Sequence, residues 1–273
     1  MPDASVLAER VREFRRLHES GCFVMPNPWD RGSAAALERL GFPAVATTSA
    51  GFAWSRGVRD GGISLADALE HFREIAAAVS IPVNADFEGA FAAEPERVAE
   101  NVALAAATGV AGLSVEDATG DASEPLFGFE LAVARVRAAR AALDAGGSGV
   151  VLTARSEGFI RGRPDLAETV RRIRAFADAG ADCLYAPGIR TREEVEAVVA
   201  AAYPRPVNVL AWDGATVAGL AAWGTRRISV GGSLARVAWT GFLAAARQIA
   251  ESGAFGALGG AVSGNALNEM FRR

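Results

Sequence analysis

The chain has 273 residues, of which 51% are hydrophobic and 22% are charged, and its net charge is −4. This length suits a single domain with a sizeable core, because α/β barrels of about 250 residues are single domains. The acidic balance, with both signs interspersed, argues against a nucleic-acid-binding surface, which needs a basic face. No apolar run approaches the ~20 residues of a membrane span, and no signal or transit sequence is visible, so we expect a soluble, cytoplasmic protein without a membrane partner.

The chain begins with an amphipathic helix, predicted over residues 3–20, and we expect its His18 to lie on the surface. Apolar strands then alternate with alanine-rich helices about every 30 residues. The predicted strands are 22–26, 44–48, 82–86, 112–116, 149–155, 183–186, 207–211 and 227–230. The predicted helices that follow them are 33–40, 64–79, 94–108, 128–143, 165–179, 192–201, 216–223 and 233–250.

Helix boundaries are marked by capping residues. Predicted N-caps are Ser64, Asp165, Thr191 and Ser233. Predicted C-terminal glycines are Gly41, Gly109, Gly180 and Gly224. Eight strand–helix units with apolar strands favour a closed (β/α)8 TIM-type barrel; an open, doubly wound sheet is the alternative.

No linker divides the chain, so we predict one domain over residues 1–273. Residues 50–62 form a connection longer than a barrel loop usually is, and such loops are often functional. Residues 255–273 form a tail with a glycine-rich hinge and a short helical run, which is a candidate for packing on a neighbouring subunit. Cys22 and Cys183 lie in apolar runs, which favours buried thiols in a reducing compartment over a disulfide.

Polar side chains follow the apolar strands where an active site of such a barrel would lie, at the carboxyl ends. After the third strand, Asn84, Asp86 and Glu88 share one face because side chains alternate along a strand. Burial of unpaired carboxylates is costly, so this trio suits a site better than a core. Oxygen ligands of this kind are those that Mg²⁺ prefers.

The fourth and fifth strands end in Glu116 and Arg155. Glu116 and Asp86 must converge on the barrel axis, where two carboxylates repel unless a cation or a proton lies between them. A structural salt bridge with Arg155 alone is the alternative. The guanidinium of Arg155 suits a carboxylate or a phosphonate. We therefore predict a Mg²⁺ ion that polarises a 2-oxo acid and stabilises an enolate, with Arg155 binding the anionic substrate.

Other polar residues at strand ends have two interpretations. Asp30 either belongs to the site or caps the helix near Ser33. Thr48 and Ser49 either contact the substrate or only end a strand.

Five segments together resemble the isocitrate lyase/phosphoenolpyruvate mutase superfamily. They are Asn-Pro-Trp-Asp at 27–30, Thr-Thr-Ser-Ala-Gly at 47–51, Val-Asn-Ala-Asp-Phe-Glu at 83–88, Ser-Val-Glu-Asp at 114–117 and Leu-Thr-Ala-Arg at 152–155. The resemblance spans roughly residues 21–252. It implies a (β/α)8 barrel whose eighth helix is swapped between subunits of a homotetramer or dimer. It also implies Mg²⁺, or Mn²⁺ as an alternative, and C–C or C–P chemistry on small 2-oxo or 2-hydroxy acids through an enolate.

Site residues are carried over on the matching positions. The resemblance implies that the metal is held by Asp60, Asp86 and Glu116. It implies that the substrate is bound by Thr48, Ser49, Ala50, Asn84, Arg155 and Asn208. The predicted catalytic residues are Arg155, Glu116 and Asp117.

Two departures from the family pattern bear on the reaction. Many members have aspartate where this chain has Asn84, which predicts weaker or water-mediated metal binding. The loop at 118–125 lacks the cysteine and histidine of the lyases' gating loop and the asparagine and lysine of the mutase loop. We therefore predict a lyase-type enzyme that acts on a C–C bond, similar to an oxaloacetate decarboxylase or hydrolase. C–P chemistry on phosphonopyruvate or phosphoenolpyruvate, and a non-catalytic carboxylate-binding protein, are the alternatives.

Overall fold

The computed structural model describes residues 4–272, and within them eight parallel strands form one sheet. The strands are β1 (Phe23–Met25), β2 (Val45–Ala46), β3 (Val83–Asp86), β4 (Gly112–Glu116), β5 (Val151–Arg155), β6 (Cys183–Tyr185), β7 (Val207–Leu210) and β8 (Arg227–Ser229). Each strand from β2 to β7 pairs with the next one in the chain, and β8 pairs with β1. A hydrogen bond of 3.0 Å from the Ala46 amide to the Pro26 carbonyl spans the remaining gap. The sheet is therefore a nearly closed barrel, and the open-sheet alternative is wrong.

Helices alternate with the strands around this barrel. They are α1 (Ala4–Glu19), α2 (Arg31–Arg39), α3 (Ser49–Ser55), α4 (Leu65–Ala78), α5 (Pro95–Ala106), α6 (Phe129–Gly146), α7 (Leu166–Asp178), α8 (Arg192–Ala202), α9 (Val217–Ala222), α10 (Ser233–Ser252) and α11 (Gly264–Met270). Every predicted strand and helix is present, with ends shifted by a few residues. Asp3 and Arg273, which end two predicted ranges, lie outside the described residues.

Strand β4 illustrates how the barrel core is divided. Leu113 and Val115 are fully buried between the sheet and its helices, whereas Ser114 and Glu116 face the barrel interior and line its cavity. Gly112 lies at the closed end, where an added Cβ would come within 2.6 Å of the Phe14 ring. Helix α1 therefore fills the bottom of the barrel with an aromatic side chain and leaves the carboxyl ends open.

A buried arginine, Arg227, lines the bottom of the barrel cavity. Arg227 donates to Asn208 Oδ1 at 2.9 Å and to Thr153 Oγ1 at 3.0 Å, so it crosses the barrel interior. Its Nη1 lies 3.2 Å from Nε2 of His18. Burial, and secondarily the positive charge of Arg227, lower the pKa of His18 to about 3. His18 is therefore neutral and accepts from Arg227, and the expectation that it is a surface residue is wrong.

Two local predictions also require correction. The long connection at 50–62 begins with the helix α3, whose N-cap is Thr48. Ser233 is the first residue of α10 rather than its cap, because Gly232 occupies the N-cap position. The other predicted caps accept a hydrogen bond from the third residue of their helices, and the four predicted glycines have positive φ. Both cysteines are free; Cys183 is buried and Cys22 is half-buried.

Helix α10 and the tail are unlike the rest of the chain because they are largely exposed. Only Ala235 is buried among the residues of α10, although the helix is 20 residues long. Large apolar side chains exposed on this part are Val237, Phe242, Leu243, Ile249, Phe255, Leu258, Val262, Leu267 and Phe271. Within residues 4–272, no helix combines the length and the apolar character needed to cross a membrane.

Candidate active site

A cavity of about 900 Å³ opens at the carboxyl ends of the strands. Its charged lining residues are Arg59, Asp60, Asp86, Glu88, Glu116, Arg155, Arg161 and Arg227. Its polar lining includes Asn27, Thr47, Thr48, Ser49, Asn84, Ser114, Thr119, Tyr185, Asn208 and Ser229. The cavity therefore lies at the strand ends that the sequence analysis selected, and it brings together residues that are distant in sequence.

Asp86 is held in place by groups that follow the neighbouring strand β2. Its Oδ2 accepts from both the amide and the hydroxyl of Ser49, each at 3.0 Å. Its own amide donates to Thr47 Oγ1 at 2.9 Å. The first residue of the short helix α3 therefore orients the carboxylate.

Arg155 is the centre of the charged network. Its Nη1 lies 2.5 Å from Asp86 Oδ1, and its Nε lies 2.9 Å from Glu157 Oε1. Its Nη2 lies 3.1 Å from Glu116 Oε2. A planar guanidinium can satisfy three carboxylates in this way, whereas a single ammonium cannot. The salt bridges of Asp86 and Glu116 with Arg155, one of the two interpretations for these carboxylates, are therefore present.

A second arginine reaches the same acids from the loop after β5. Arg161 Nη2 lies 3.1 Å from Glu116 Oε1, and its Nε lies 3.7 Å from Glu157 Oε2. Glu116 is 6% exposed, and its burial raises the pKa of its carboxyl group to about 8, with the repulsion of Glu157 adding to that effect. The positive charges of Arg155 and Arg161 lower the pKa of Glu116, but by less than the other effects raise it.

Glu88 forms no salt bridge with another described residue, and its backbone is unusual. Burial, together with the negative charges of Asp86, Glu116 and Asp60, raises the pKa of Glu88 to about 8, although the positive charge of Arg155 opposes the rise. Its φ is +47°, in the left-handed region that non-glycine residues rarely adopt. Strained positions of this kind are common at functional sites, where the surrounding structure fixes them.

Arg135 on α6 supplies part of that support. Its guanidinium donates to the carbonyls of Glu116 at 2.8 Å, Ala92 at 3.0 Å, and Gly89. It also lies 4.0 Å from the centroid of the Phe127 ring. Arg135 therefore ties the end of β4 to the loop after β3 and to the loop before α6. It is 1% exposed, and burial lowers the pKa of its guanidinium to about 10.

Several predicted site residues are engaged within the protein. Thr48 Oγ1 accepts from the Gly51 amide as the cap of α3, and Asp30 caps α2 through Ser33. Asn208 donates to Ser229 and accepts from Arg227, so it belongs to the floor of the cavity.

Asp117 does not line the cavity. Its Oδ2 lies 3.0 Å from Nη1 of Arg172, and its Oδ1 accepts from the Glu157 amide at 2.8 Å. It is 2% exposed, and its burial raises the pKa of its carboxyl group. Its contacts therefore support the strand ends that carry Glu116 and Glu157, and we do not assign it a contact with substrate.

The oxygen donors of the cavity suit a hydrated divalent metal better than a closed metal cluster. No three or more His, Cys, Asp or Glu side chains among residues 4–272 are arranged as a preformed metal cluster. Mg²⁺, however, is usually held by one or two carboxylates and keeps several waters. Asp86, Glu88 and Glu116 supply such oxygens, and buried Asn84 has an Oδ1 without a hydrogen-bond partner among the described residues. The residues therefore fit a largely hydrated Mg²⁺ held mainly by Asp86 and Glu116.

The raised pKa of Glu88 predicts a pH dependence of stability in the metal-free protein. Its ordinary value is 4.5 and its folded value about 8, so between these pH values the folded state holds a proton that the unfolded state lacks. The free energy of unfolding should then fall as pH rises from 5 to 8, by at most about 1.4 kcal/mol per pH unit for one such group. Urea denaturation in chelator at several pH values measures this slope. Glu88→Gln should reduce this slope without abolishing it, because Glu116 has a similarly raised pKa. An unchanged slope would contradict the assignment.

The site contains residues that sequence reasoning did not select. Arg135 lies among Ala132, Val136 and Ala139 on the apolar face of α6. A charged residue on an apolar helix face indicates a buried charge, so the sequence contained a signal for this residue. Arg161 lies six residues beyond the end of β5, outside the strand-end positions considered. Arg227 begins β8, and no local pattern distinguishes it from a solvated charge.

Solved structures of several known proteins share this fold. A protein of Burkholderia cenocepacia J2315, provisionally described as a lyase/mutase, is 43% identical with a TM-score of 0.94 over 98% of each chain. Oxaloacetate acetylhydrolase, solved with its product oxalate, is 27% identical with a TM-score of 0.85 over 96% of this chain and 94% of that chain. Phosphonopyruvate hydrolase, solved with oxalate and Mg²⁺, is 26% identical with a TM-score of 0.83 over 96% and 94%.

The family model described as phosphoenolpyruvate phosphomutase matches residues 14–250, which include all eight strands. Enzymes that act on C–C and on C–P bonds occur among the similar proteins, so a non-catalytic role is not supported. The chain belongs to the phosphoenolpyruvate phosphomutase family and is an enzyme of lyase type in the isocitrate lyase/phosphoenolpyruvate mutase superfamily.

Proposed function

We propose that the protein is a Mg²⁺-dependent enzyme that cleaves a C–C bond in a small 2-oxo or 2-hydroxy acid. The observation that carries this proposal is the convergence of Asp86, Glu116 and Arg155 at the mouth of the barrel. Mg²⁺ in complex with oxalate occurs in a similar enzyme, phosphonopyruvate hydrolase, and another similar enzyme acts on oxaloacetate. Mn²⁺ has the same preference for oxygen ligands and is the alternative ion.

Each side chain then has a distinct role. Asp86 and Glu116 would hold the ion, with Asp60 and Asn84 near its waters. When bound, Mg²⁺ polarises the 2-oxo group and stabilises enolate charge. Arg155 fixes both carboxylates in one geometry and offers its remaining N–H groups to the substrate.

The surrounding wall completes the site. Thr48, Ser49 and Ala50 line the cavity on the α3 side and would limit the orientation of the substrate. Ala118 and Leu126 pair as an antiparallel bridge, so the loop between them forms a hairpin beside the cavity. The Thr119 hydroxyl donates to the Glu124 carbonyl at 2.5 Å within this hairpin. We infer that it excludes water from the bound acid, as protection of an enolate requires.

The experiment that tests the proposal is product formation from a panel of acids with Mg²⁺ and with chelator. The panel contains oxaloacetate, isocitrate, 2-methylisocitrate, substituted malates and phosphonopyruvate. Pyruvate, glyoxylate, oxalate and phosphate are measured. Chelator-sensitive cleavage of a carboxylic acid without phosphate release supports the C–C reaction. Phosphate release from phosphonopyruvate would instead favour C–P chemistry, which the similarity to phosphonopyruvate hydrolase motivates.

We also propose that the exposed apolar face of α10 packs on a second copy of the chain. Val237 and Phe242 are 69% and 61% exposed, and large apolar patches of this kind mark interfaces. Light scattering should therefore give a dimer or tetramer of the 28.3 kDa chain. Phe242→Glu should shift the mass towards the monomer, and a monomeric wild type would contradict the proposal.

A further inference from the structure

Two arginines near the acidic cluster differ in how firmly they are held. Arg155 is paired with three carboxylates, and its side chain is only 13% exposed. Arg161 contacts Glu116 and Glu157 at 3.1 and 3.7 Å, and its side chain is 41% exposed. Removing Arg155 from its partners would leave buried charges unpaired, whereas Arg161 can reorient at the cavity mouth and remain solvated.

The backbone under Arg161 is fixed although its side chain is exposed. Its amide donates to the Glu157 carbonyl at 3.0 Å, and the Arg163 amide donates to the Gly158 carbonyl at 2.8 Å. Gly162 has a φ of +74°, which closes this turn. The turn therefore presents a guanidinium from a constant position, and only side-chain torsions separate its contact with Glu116 from the open cavity.

The charges that line the site indicate which kind of ligand group the guanidinium of Arg161 would bind. The positive charge of Arg155 is already opposed by three carboxylates, and Asp60 adds a further acidic group to the lining. The ion and the N–H groups of Arg155 can bind a substrate that has a single carboxylate. A second carboxylate farther along the substrate needs another cation, because the acidic side chains of the lining would otherwise repel it.

We propose that Arg161 is a specificity-determining residue that binds the distal carboxylate of a substrate with two carboxylates separated by at least one carbon. The substrate class is then a short dicarboxylic 2-oxo or 2-hydroxy acid, such as oxaloacetate. This inference rests on the proposed function, since it names the substrate of the same site. A guanidinium can bind a carboxylate through two parallel hydrogen bonds. Arg161 makes one hydrogen bond to Glu116, from Nη2 at 3.1 Å, so its other N–H groups remain available for a substrate carboxylate.

The test compares ligands that share one end and differ at the other. Oxalate has adjacent carboxylates and no group that extends further, whereas oxaloacetate and malate have a distal carboxylate. Arg161→Gln should raise KM for oxaloacetate and Kd for malate roughly 10- to 100-fold, the range for a lost charged hydrogen bond. The Kd of oxalate, measured by calorimetry with Mg²⁺, should change less than about threefold. Arg161→Lys should restore part of the malate affinity.

Arg59→Gln is the matched control, because Arg59 lines the same cavity and the substitution removes the same charge. It should leave the ratio of malate to oxalate affinity unchanged. An equal loss of oxalate and malate affinity in Arg161→Gln, or equal effects of the two variants, would overturn the inference in favour of a general electrostatic role. Calorimetry also separates the two proposals. A wild type that cleaves no acid refutes the proposed function, whereas selective loss of malate binding still supports the role of Arg161.

Discussion

Arg155→Lys is expected to lower kcat/KM by roughly 100- to 1000-fold for the acid that the enzyme cleaves. An ammonium group cannot contact three carboxylates at once, so at least one of Asp86, Glu116 and Glu157 would lose its ion pair. Breaking a buried pair costs about 3–5 kcal/mol, and part of that cost would be displacement of the two proposed metal ligands. Steady-state kinetics at saturating Mg²⁺ measure the effect.

Loss of stability must be separated from loss of chemistry in this variant. Arg172→Lys is the matched control, because Arg172 also pairs with a buried carboxylate, that of Asp117, but does not line the cavity. Both variants should melt at a lower temperature than the wild type. Only Arg155→Lys should lose most of its activity at temperatures where both are folded. Activity within about threefold of the wild type would rule out the central role of Arg155.

Asp86→Asn is expected to weaken Mg²⁺ activation by at least about 100-fold. The amide retains the size of the carboxylate but removes its charge from both the ion and Arg155. Changes to residues that only support metal ligands already cost about 10- to 100-fold in metal affinity, so replacement of a ligand should cost at least as much. The measurement is the Mg²⁺ concentration for half-maximal activity, together with Mg²⁺ binding by calorimetry.

Asp30→Asn provides the control for a carboxylate at the same end of the barrel. Asp30 caps α2, and asparagine is an equally good N-cap, so this variant should keep both its stability and its Mg²⁺ response. An unaltered Mg²⁺ response in Asp86→Asn would show that the ion is held elsewhere, for example by Glu88 and Asp60.

The barrel could be predicted from the sequence because its signals are local. The strands carry apolar side chains such as Leu113 and Val115 of β4, and glycines with positive φ such as Gly109 mark turns before them. The carboxyl ends of parallel strands share one edge, so Asp86, Glu116 and Arg155 could be placed together before any coordinates were known. The helix α3 was missed because Ser49–Ser55 is only two turns long and has no apolar period.

Contacts across the barrel could not be predicted in the same way. His18 and Arg227 are 209 residues apart, and their contact depends on the closure of β1 against β8. The amphipathic pattern of α1 gave His18 no reason to be buried. The three carbonyls that Arg135 binds belong to the end of β4 and to the loop after β3, whose path no sequence period describes. The residue types at the strand ends were enough to predict a charged site there. The pairs that these charges form depend on tertiary packing, which the sequence pattern does not show.

The contacts of Arg135 have a consequence for how this site can change. Its hydrogen bonds go to main-chain carbonyl oxygens, which every amino acid possesses, so the anchoring is indifferent to most side chains on the loops that it fixes. New side chains at Glu88, Ala92 or Ala93 could therefore be introduced by mutation or in a designed library while the loop keeps its path. The main-chain path of this part of the cavity wall therefore does not depend on the side chains that it carries. The same barrel can then present different side chains to different substrates.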